Sequence, residues 1–592
     1  MIGAPPMKKQ EILDSLLTQQ RVSWMDENGV WSDVPVSAVL KVAREDLWPV
    51  LKQKNPPLYG LIRLNTIERI VARTGANAST SSIVTPHFSG DEYFRVLDER
   101  IRKAKSGDSI DIHIFEWNDD ATGNYLAEQL VEAHTRGVQV HVTVDLAGCL
   151  LFGSKKKMRW WEKCKTMFSA ALAFLGSVNW RRWHRLLGMV RGNSKVIEQL
   201  PPEEIQAFDA RLRKAFDDKY LLSMNDPLQT LQTTLGSSLK IVQRGIENMD
   251  HSKIIRFTST DASGKKTVRK FLGGRNIGIR YSGNCDPQKK DPRERWSGGP
   301  DMYHDYSHEV LLQGDDAETD DLLAAPRKST DPVLLPKRTS SDVFQVLSNS
   351  NDSGEEPEKK QITYAMKEII RGAKHTLHIE HAFIHDEELT NLLIDKAKSG
   401  LRIYILHGTP EGAEFAEMEE DSFRKIDEFN EKMKEKNRAT LENEFGFTYR
   451  QTKAFLKEYE HFLDGKRKHE HWKNLKGENN MDDAIFKKLS PMIRVYKAKH
   501  TLHSKCIVSD MGWPKQITLG GSANLTGNSK GKHGEQGYLM MGTAAHETGD
   551  ELLRRQDKAS IRGPVQKILD SFKGVKNAVK KVFRKNRVES AA

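Results

Sequence analysis

His503-Ser-Lys505-Cys-Ile-Val-Ser-Asp510, followed after a short gap by Gly521-Ser522-Ala-Asn524, is the stretch that decides the fold. The three apolar residues after Lys505 are typical of a short buried strand. Residues 511–516 contain a glycine and a proline, which predict a turn, and residues 517–520 form the returning strand. The stretch therefore predicts a β-hairpin that brings its two polar ends to one edge of a sheet.

The polar side chains of this hairpin indicate chemistry on a phosphate ester. His503 and Lys505 are two positions apart, so they share one face of the strand, and the hairpin returns Ser522 and Asn524 to the same end. A lysine supplies positive charge, serine and asparagine supply hydrogen bonds, and histidine supplies a nucleophile or an acid. A chance cluster is the alternative, and it is disfavoured because each residue type makes up only about a few per cent of a typical chain.

A second copy of the pattern occurs earlier in the chain. His251-Ser-Lys253 begins another apolar segment, and Gly273-Gly-Arg-Asn276 follows it. Repetition of a whole chemical unit predicts a duplicated half-site. Two histidines that face each other across a pseudo-twofold axis could then divide the roles of nucleophile and acid.

Both copies resemble the signature of the phospholipase D superfamily, H-x-K-x4-D followed by G-S-x-N or G-G-x-N. The later copy matches through Asp510, whereas the earlier copy has Thr258 at the aspartate position and Asp261 three residues further on. Residues 379–384 resemble the strand that opens the second half of these enzymes, and residues 303–314 resemble the stretch after the first motif. The resemblance covers roughly residues 89–148, 239–325, 343–412 and 492–555.

The resemblance implies a reaction in two steps through a covalent phosphohistidine, with His251 as nucleophile and His503 as acid; the residues themselves leave the order of the two histidines open. Each histidine also needs a carboxylate on its far nitrogen to fix its tautomer. No cofactor and no metal are expected. The expected catalytic residues are His251, Lys253, Asn276, Asp305, His503, Lys505, Asp510, Ser522, Asn524 and Glu535.

Composition restricts the partners of this chain. Its 592 residues carry a formal net charge of +11, which favours an anionic partner such as a phospholipid surface or a nucleic acid. The first twenty residues have no long apolar segment, and no run approaches the roughly 18–20 apolar residues of a membrane-spanning helix. We expect a cytoplasmic or peripheral membrane protein, with export by a route that needs no signal peptide left open.

The order of predicted elements indicates an α/β fold. A helix–strand–helix–strand pattern at residues 93–145 recurs at residues 362–407, and this order predicts parallel strands covered by helices. We expect two duplicated phospholipase D-type α/β/α sandwich halves packed on a pseudo-twofold axis, with helical inserts. The expected parts are an N-terminal leader (1–88), a first half (89–325) with an insert at 149–238, a linker region (326–360) whose short strand at 343–347 belongs to the second half, a second half (361–555) with a charged insert at 411–490, and a basic amphipathic tail (556–592).

Two of these parts suggest a membrane surface. The first insert places Trp160, Trp161, Trp180 and Trp183 among lysines and arginines, and residues 563–587 have apolar side chains at helical spacing with basic residues between them. Such segments suit an anionic lipid interface, although packing on the protein core explains each of them equally well. The charged insert is expected to be a solvated helical hairpin or a lid.

Together these features predict a phospholipase D that hydrolyses the distal phosphodiester of membrane glycerophospholipids to phosphatidic acid and the free headgroup alcohol. The alternatives are a phosphatidyl transferase of the cardiolipin synthase type and, less favoured, a nuclease of the superfamily. The expected partners are a phospholipid substrate and an anionic membrane surface, with no nucleic acid, and the catalytic unit is expected to be a monomer. Headgroup preference, oligomeric state and the choice between hydrolysis and transfer stay open.

Overall fold

The structure is a computed structural model, and most of the two expected halves lies within the residues that it describes. These are residues 82–150, 218–243, 249–299, 303–318, 320, 343–349, 359–408, 413–463, 488–498, 502–513, 516–526 and 533–561, with a few short pieces before residue 82. The tryptophan-rich part of the first insert, most of the linker region and residues 562–592 of the basic tail lie outside the described residues.

The first half is built on a seven-stranded sheet with the spatial order β1-β7-β6-β5-β2-β3-β4. Strands β2, β3 and β4 are parallel neighbours, and every other pair is antiparallel. The strands are β1 (Ile83–His87), β2 (Ser109–Ile114), β3 (Gln139–Asp145), β4 (Leu239–Val242), β5 (Lys253–Thr260), β6 (Lys266–Gly273) and β7 (Ser307–Gln313).

The second half repeats this sheet. Its order is β8-β14-β13-β12-β9-β10-β11, with Ala78–Ser79 added beside β8 and Ser560–Ile561 beside β11, nine strands in all. The strands are β8 (Val343–Asn349), β9 (Thr376–His381), β10 (Arg402–His407), β11 (Ile493–Lys497), β12 (Lys505–Ser509), β13 (Ile517–Gly521) and β14 (Glu535–Met541). Each strand matches the one seven numbers earlier in position and direction, which confirms the expected duplicated α/β fold.

Helices cover one face of each sheet. In the first half the apolar side chains of Phe94, Leu97 and Ile101 on α1 pack against the core together with Leu228 and Leu231 of α4. The helices are α1 (Gly90–Lys103), α2 (Ala121–Thr135), α3 (Asp218–Met224), α4 (Asp226–Leu235), α5 (Gln361–Gly372), α6 (Glu387–Lys398), α7 (Ala413–Glu444), α8 (Tyr449–Leu463) and α9 (Thr543–Lys558).

The other faces of the two sheets meet each other. Ile254 of β5 and Leu272 of β6 lie in one buried cluster with Phe344 of β8 and with Tyr538 and Met540 of β14. Burial of a large apolar side chain stabilises the folded state by roughly 1.5–3 kcal/mol, so this cluster joins the halves firmly. The layers are therefore helix, sheet, sheet and helix, and α9 also packs on the inner faces through Ala544 and Ala545, which belong to the same cluster.

Several short elements complete the described chain. They are Trp24–Met25, Trp31–Ser32, Ile384–His385 and Leu525–Thr526 as two-residue strands, Gly236–Ser238 as a 3₁₀ turn, and Leu146–Gly148, Ile279–Ser282, Pro292–Arg295 and Asp315–Glu318 as single helical turns. The charged insert contains α7 and α8, which pack on each other through Leu441 and Tyr459.

The structure moves two expected boundaries. Strand β1, placed in the leader by the sequence pattern, pairs with β7 and is an edge of the first sheet. Helix α9 runs to Lys558, and Ser560–Ile561 pairs with β11, so the second half continues beyond residue 555. The end of the first insert, α3 and α4, packs on the first core rather than standing apart from it.

Candidate active site

Backbone hydrogen bonds between the halves fix the two motif histidines. The backbone N–H of His251 donates to the carbonyl of Gly534, 2.7 Å away, and the backbone N–H of His503 donates to that of His304, 3.0 Å away. Each histidine precedes the strand that begins with its own lysine, Lys253 for β5 and Lys505 for β12. The two motifs therefore lie at the seam between the halves, in equivalent surroundings.

The carboxylate that holds each imidazole comes from the opposite half. Glu535 follows Gly534, and its Oε2 lies 3.0 Å from Nδ1 of His251. Asp305 follows His304, and its Oδ2 lies 2.8 Å from Nδ1 of His503. Both carboxylates are almost completely buried. The expected histidine–carboxylate pairing is thus present in the geometry, but it crosses from one half to the other.

Burial keeps both imidazoles neutral near pH 7. It lowers the pKa of His251 to about 4, against the opposing influence of Glu535, and it lowers the pKa of His503 to about 3. Burial would raise the pKa of Glu535, but the attraction of His251 lowers it to about 2. A neutral imidazole then donates its Nδ1–H to the carboxylate and presents the Nε2 lone pair to the site.

The motif lysines bring positive charge to the same point. Lys253 Nζ donates to the His251 carbonyl at 2.7 Å, and Lys505 Nζ donates to the His503 carbonyl and lies 3.2 Å from Nε2 of His503. Burial lowers the pKa of Lys253 to about 7, against the attraction of Glu535 and with a further contribution from the nearby charge of Lys505 that is part of this shift. Burial also lowers the pKa of Lys505 to about 8. An anion between the two lysines would relieve this repulsion.

The small residues after β6 and β13 make room for the carboxylates. A Cβ atom on Gly274 would lie 2.3 Å from Oδ2 of Asp305, so a side chain there would displace the partner of His503. At the equivalent position Ser522 donates its hydroxyl to Glu535 and accepts from the backbone N–H of Gln536 at 3.0 Å. Ser522 therefore orients the carboxylate of Glu535.

The two motif asparagines differ in their contacts. Asn276 Nδ2 donates to Glu116 Oε2 at 3.0 Å and to the Tyr281 hydroxyl at 2.8 Å. The carbonyl oxygens of Asn276 and Asn524 are both buried and accept no hydrogen bond from the described residues. Glu116 belongs to neither motif. Its position two residues after the end of β2 is the sequence feature that could have marked it as a site residue.

Asp510 lies away from this cluster. It follows the far end of β12, and its Oδ1 accepts from the backbone N–H groups of Lys374, His375 and Thr376 at 2.9, 2.7 and 3.3 Å. Its backbone has a φ of 51°, a left-handed conformation that aspartate tolerates better than most residues. Asp510 thus holds a loop beside β9 and does not reach the histidines.

The departure at Thr258 has a structural reason. Strand β5 continues through Thr260, whereas β12 ends at Ser509, so Thr258 is an ordinary strand residue. Asp261 is exposed in the following turn, where it accepts from the backbone N–H groups of Ser263 and Lys265. Neither residue belongs to the site.

A buried network behind His503 was not foreseen from the sequence. Glu380 accepts from Arg555 Nη1 at 2.9 Å, from the Tyr306 hydroxyl at 2.7 Å and from the Ser504 hydroxyl. Arg275 Nη2 donates to the backbone carbonyl of Asp305 at 2.7 Å. These groups fix the segment that carries Asp305. Arg275 stands inside the Gly-Gly-x-Asn motif, but Arg555 is remote in sequence and no motif marks it.

Aromatic rings line both half-sites. Phe115 meets the His251 ring edge-on with centroids 4.7 Å apart. Tyr281 meets the His503 ring edge-on at 5.2 Å, and Tyr303 stacks on it at 5.7 Å. Both tyrosines come from the first half. The rings limit the rotation of the imidazoles and reduce the access of water to them.

The described residues contain no group of three or more His, Cys, Asp or Glu side chains arranged to hold a metal ion. Among the same residues, no helix is both long and apolar enough to cross a membrane.

Comparison with known proteins gives a family match for part of the second half. The family model described as the phospholipase D-like domain of cardiolipin synthase matches residues 366–555. Residues 366–555 therefore match a domain of the phospholipase D superfamily. The resemblance of the His-x-Lys motifs to that superfamily is confirmed, and the match supports an enzyme of phospholipid-related chemistry. No curated protein matches the chain in sequence.

Two solved structures resemble this chain at low identity. Phosphatidylserine synthase of Haemophilus influenzae Rd KW20 is 13% identical over 84% of this chain and 94% of its own, with a TM-score of 0.43. Polyphosphate kinase from Porphyromonas gingivalis is 12% identical over 89% of this chain and 57% of its own, with a TM-score of 0.36. Both TM-scores are too low to bear on the function of this chain.

Proposed function

We propose that this protein is a phosphatidyl transferase, which moves the phosphatidyl group of a membrane phospholipid to an alcohol acceptor through a phosphohistidine. The observation that carries the proposal is the seam itself, where two neutral histidines, two lysines and two crossed carboxylates converge. Transfer of an anionic phosphodiester requires a neutral nucleophile, an acid and positive charges. The match to a cardiolipin synthase domain supports transfer over hydrolysis.

In the first step, Nε2 of His251 attacks phosphorus. A P–N bond forms, the P–O bond to the leaving alcohol breaks, and His503, once protonated, gives its proton to that alcohol. His503 is neutral in the free protein because burial lowers its pKa to about 3; an anionic phosphodiester beside it favours the imidazolium and raises this pKa. The assignment of His251 as nucleophile rests on the resemblance to the superfamily.

In the second step, the acceptor alcohol attacks the phosphohistidine. His503 takes the hydroxyl proton, the new P–O bond forms and the P–N bond to His251 breaks. Lys253 and Lys505 balance the charge of the non-bridging oxygens in both steps. The residues supply nucleophile, acid and counter-charge, so we expect turnover without a metal ion. Water in place of the alcohol would give phosphatidic acid, the product of a phospholipase D.

We also propose that the protein works at an anionic membrane surface. The net charge of +11 supports this, because a basic protein is attracted to anionic headgroups. The basic amphipathic pattern of residues 563–587 supports it as well. We expect binding to vesicles that is reversible and weaker in high salt.

The test is product analysis with the purified full chain and vesicles that contain phosphatidylglycerol. Transfer predicts release of glycerol and a phospholipid with two phosphatidyl groups. A short alcohol added at increasing concentration should divert product to its own phosphatidyl ester while total consumption of substrate stays constant, because both acceptors share one intermediate. His503→Ala should abolish both products, and His141→Ala is the matched control because His141 is half exposed beside Asp111, outside the site.

Phosphatidic acid as the sole product at every alcohol concentration would contradict transfer and leave a hydrolase. Cleavage of plasmid DNA in a parallel assay, without consumption of lipid, would contradict both. Loss of activity in a chelator that a divalent ion restores at the chemical step would contradict the metal-independent mechanism.

A further inference from the structure

One difference breaks the symmetry between the half-sites. Trp117 pairs with Ile277, the residue after Asn276, and Ile384 pairs with Leu525, the residue after Asn524. Glu116 precedes Trp117 in the first half, and Phe383 precedes Ile384 at the corresponding position in the second half. A buried carboxyl group therefore lies beside Asn276, whereas the corresponding backbone position in the second half holds a phenylalanine.

Glu116 makes the orientation of the Asn276 amide a problem for anion binding. Its Oε2 accepts from Asn276 Nδ2 at 3.0 Å and from the Tyr281 hydroxyl at 3.1 Å. The amide N–H groups are thus directed at Glu116 and Tyr281, while the carbonyl oxygen of Asn276 is buried and accepts nothing from the described residues. In this orientation a carbonyl oxygen, rather than a donor, is left for a phosphate, and two negative oxygens repel each other.

Protonation of Glu116 removes the conflict. A carboxylic acid donates one O–H. Besides the side-chain oxygen of Asn118, which is also buried without a partner among the described residues, the nearby acceptor is the carbonyl oxygen of Asn276. If the amide turns by half a rotation, that oxygen accepts from Glu116 or from the Tyr281 hydroxyl, and Nδ2 is released towards the ligand. No atom other than one proton has to be added, and no backbone has to move.

We propose that Glu116 is a positioning residue that gates Asn276, and that the site takes up a proton on Glu116 when a phosphodiester anion binds. The proposal rests on the proposed function, because it assumes that Asn276 binds a phosphate oxygen. The substrate class is any singly charged phosphodiester, since the gate responds to the anion and not to the groups esterified to it.

The charges around Glu116 are consistent with a gate near neutral pH. The groups that face it are Lys253, Tyr281, Asn118 and Arg280, and burial outweighs their combined attraction, raising the pKa of Glu116 to about 7. Lys253 itself has a pKa lowered by burial to about 7, so it also gains charge as the pH falls. The contribution of Glu116 therefore has to be separated from that of the lysine by substitution.

The test measures the binding of dimethyl phosphate to the full chain by calorimetry from pH 6 to pH 8, because this probe keeps one charge over the whole range. Glu116→Gln supplies a permanent N–H donor to the Asn276 carbonyl. At pH 8, one unit above the pKa of Glu116, the wild type must first protonate that group, so the variant should bind about tenfold more tightly. The two affinities should converge at pH 6.

Proton uptake gives a second readout. Calorimetry in two buffers of different ionisation enthalpy should show that the wild type takes up about one proton more than Glu116→Gln at pH 8. Loss of the Glu116 charge lowers the pKa of Lys253 and does not increase the uptake of the wild type over the variant, so the lysine cannot mimic this result. Asp261→Asn, a carboxylate in an exposed turn, is the control and should behave as wild type.

Equal affinities and equal proton uptake in the wild type and Glu116→Gln at pH 8 would overturn the gate. If Glu116→Gln does not fold, Tyr281→Phe replaces it: loss of a donor to the ionised carboxylate raises the pKa of Glu116 and should tighten binding at pH 8. If Glu116→Gln binds the probe more tightly than the wild type at pH 8 but the wild type transfers no phosphatidyl group, the gate is supported and the proposed function is contradicted. Failure of all proteins to bind the probe at any pH would overturn both.

Discussion

The substitution Gly274→Ala should disable the site through one displaced carboxylate. The added Cβ would lie 2.3 Å from Oδ2 of Asp305 and 2.6 Å from its Oδ1. An ordinary contact between carbon and oxygen needs roughly 3.4 Å, so the carboxylate must move by about 1 Å. Its bond to Nδ1 of His503, 2.8 Å in the structure, would then stretch to about 3.8 Å and be lost.

The loss should appear in turnover more than in stability. A displacement of about 1 Å in a catalytic array costs on the order of 100-fold in rate, and the wrong histidine tautomer can cost about 10⁴-fold. We therefore expect a fall of at least about 100-fold in kcat. The group in the way is the end of a side chain that can rotate, so the free energy of unfolding should fall by only about 1–3 kcal/mol, as for other overpacked sites.

The assay is transfer of a phosphatidyl group to a short alcohol, with thermal unfolding measured in parallel. Gly299→Ala is the matched control, because a Cβ there meets its nearest atom at an ordinary 3.8 Å. Wild-type turnover in Gly274→Ala would show that the Asp305–His503 bond does not matter for catalysis. Equal losses in the two variants would point to general sensitivity of the glycine-containing loops.

Four further predictions follow from the same geometry. His251→Ala and His503→Ala should each abolish turnover and leave the thermal unfolding temperature nearly unchanged; acid-labile phosphate trapped in the protein with an activated substrate should appear only in the second, and its appearance only in the first would reverse the assignment. The pH profile of kcat/KM should fall through about pH 7, where Lys253 loses its charge and Glu116 loses its proton; a profile that stays flat from pH 6 to pH 8 would contradict both effects of burial. Asp510→Ala should lower the free energy of unfolding by about 0.5–1.5 kcal/mol, since it removes hydrogen bonds to part-buried backbone N–H groups, and a large loss of turnover at unchanged stability would show that this residue acts in the site. Deletion of residues 563–592 should lower activity on vesicles far more than on a short-chain soluble substrate, and equal losses would mean that this segment is structural.

The duplicated sheet was predictable because its signals are local. Apolar runs of strand length alternate with helical periodicity in both halves, and the repeated His-Ser-Lys tripeptide aligns them. The extent of each half was less predictable, because edge strands such as β1 are short and carry little pattern of their own. Only pairing with β7 shows that β1 belongs to the sheet.

The motifs predicted some of the site residues, and only the folded structure shows the others. Both His-Lys pairs, Asp305 and Glu535 lie together as the motifs imply. Asp510 does not, because a strand rises about 3.3 Å per residue and the five residues of β12 place it about 17 Å from Lys505. A motif records which residues occur together in sequence, and it is silent on which end of the strand each occupies.

The remaining contacts had no sequence signal. His251 contacts a carboxylate 284 positions away, and His503 contacts one 198 positions away. Nothing in the sequence around either histidine indicates which carboxylate it will contact. Glu116 likewise depends on the pairing of Trp117 with Ile277. Such contacts follow from how the two sheets pack, which depends on the summed burial of many side chains rather than on a pattern.

The crossed carboxylates have a consequence for assembly. A half of this protein, alone in solution, would hold a histidine and a lysine of its own together with a carboxylate aimed at the histidine of a neighbour. Two such fragments would have to find each other, and their activity would depend on the square of their concentration when dilute. Joining both halves in one chain replaces that encounter with a fixed effective concentration, so the specific activity of the intact protein should not change on dilution.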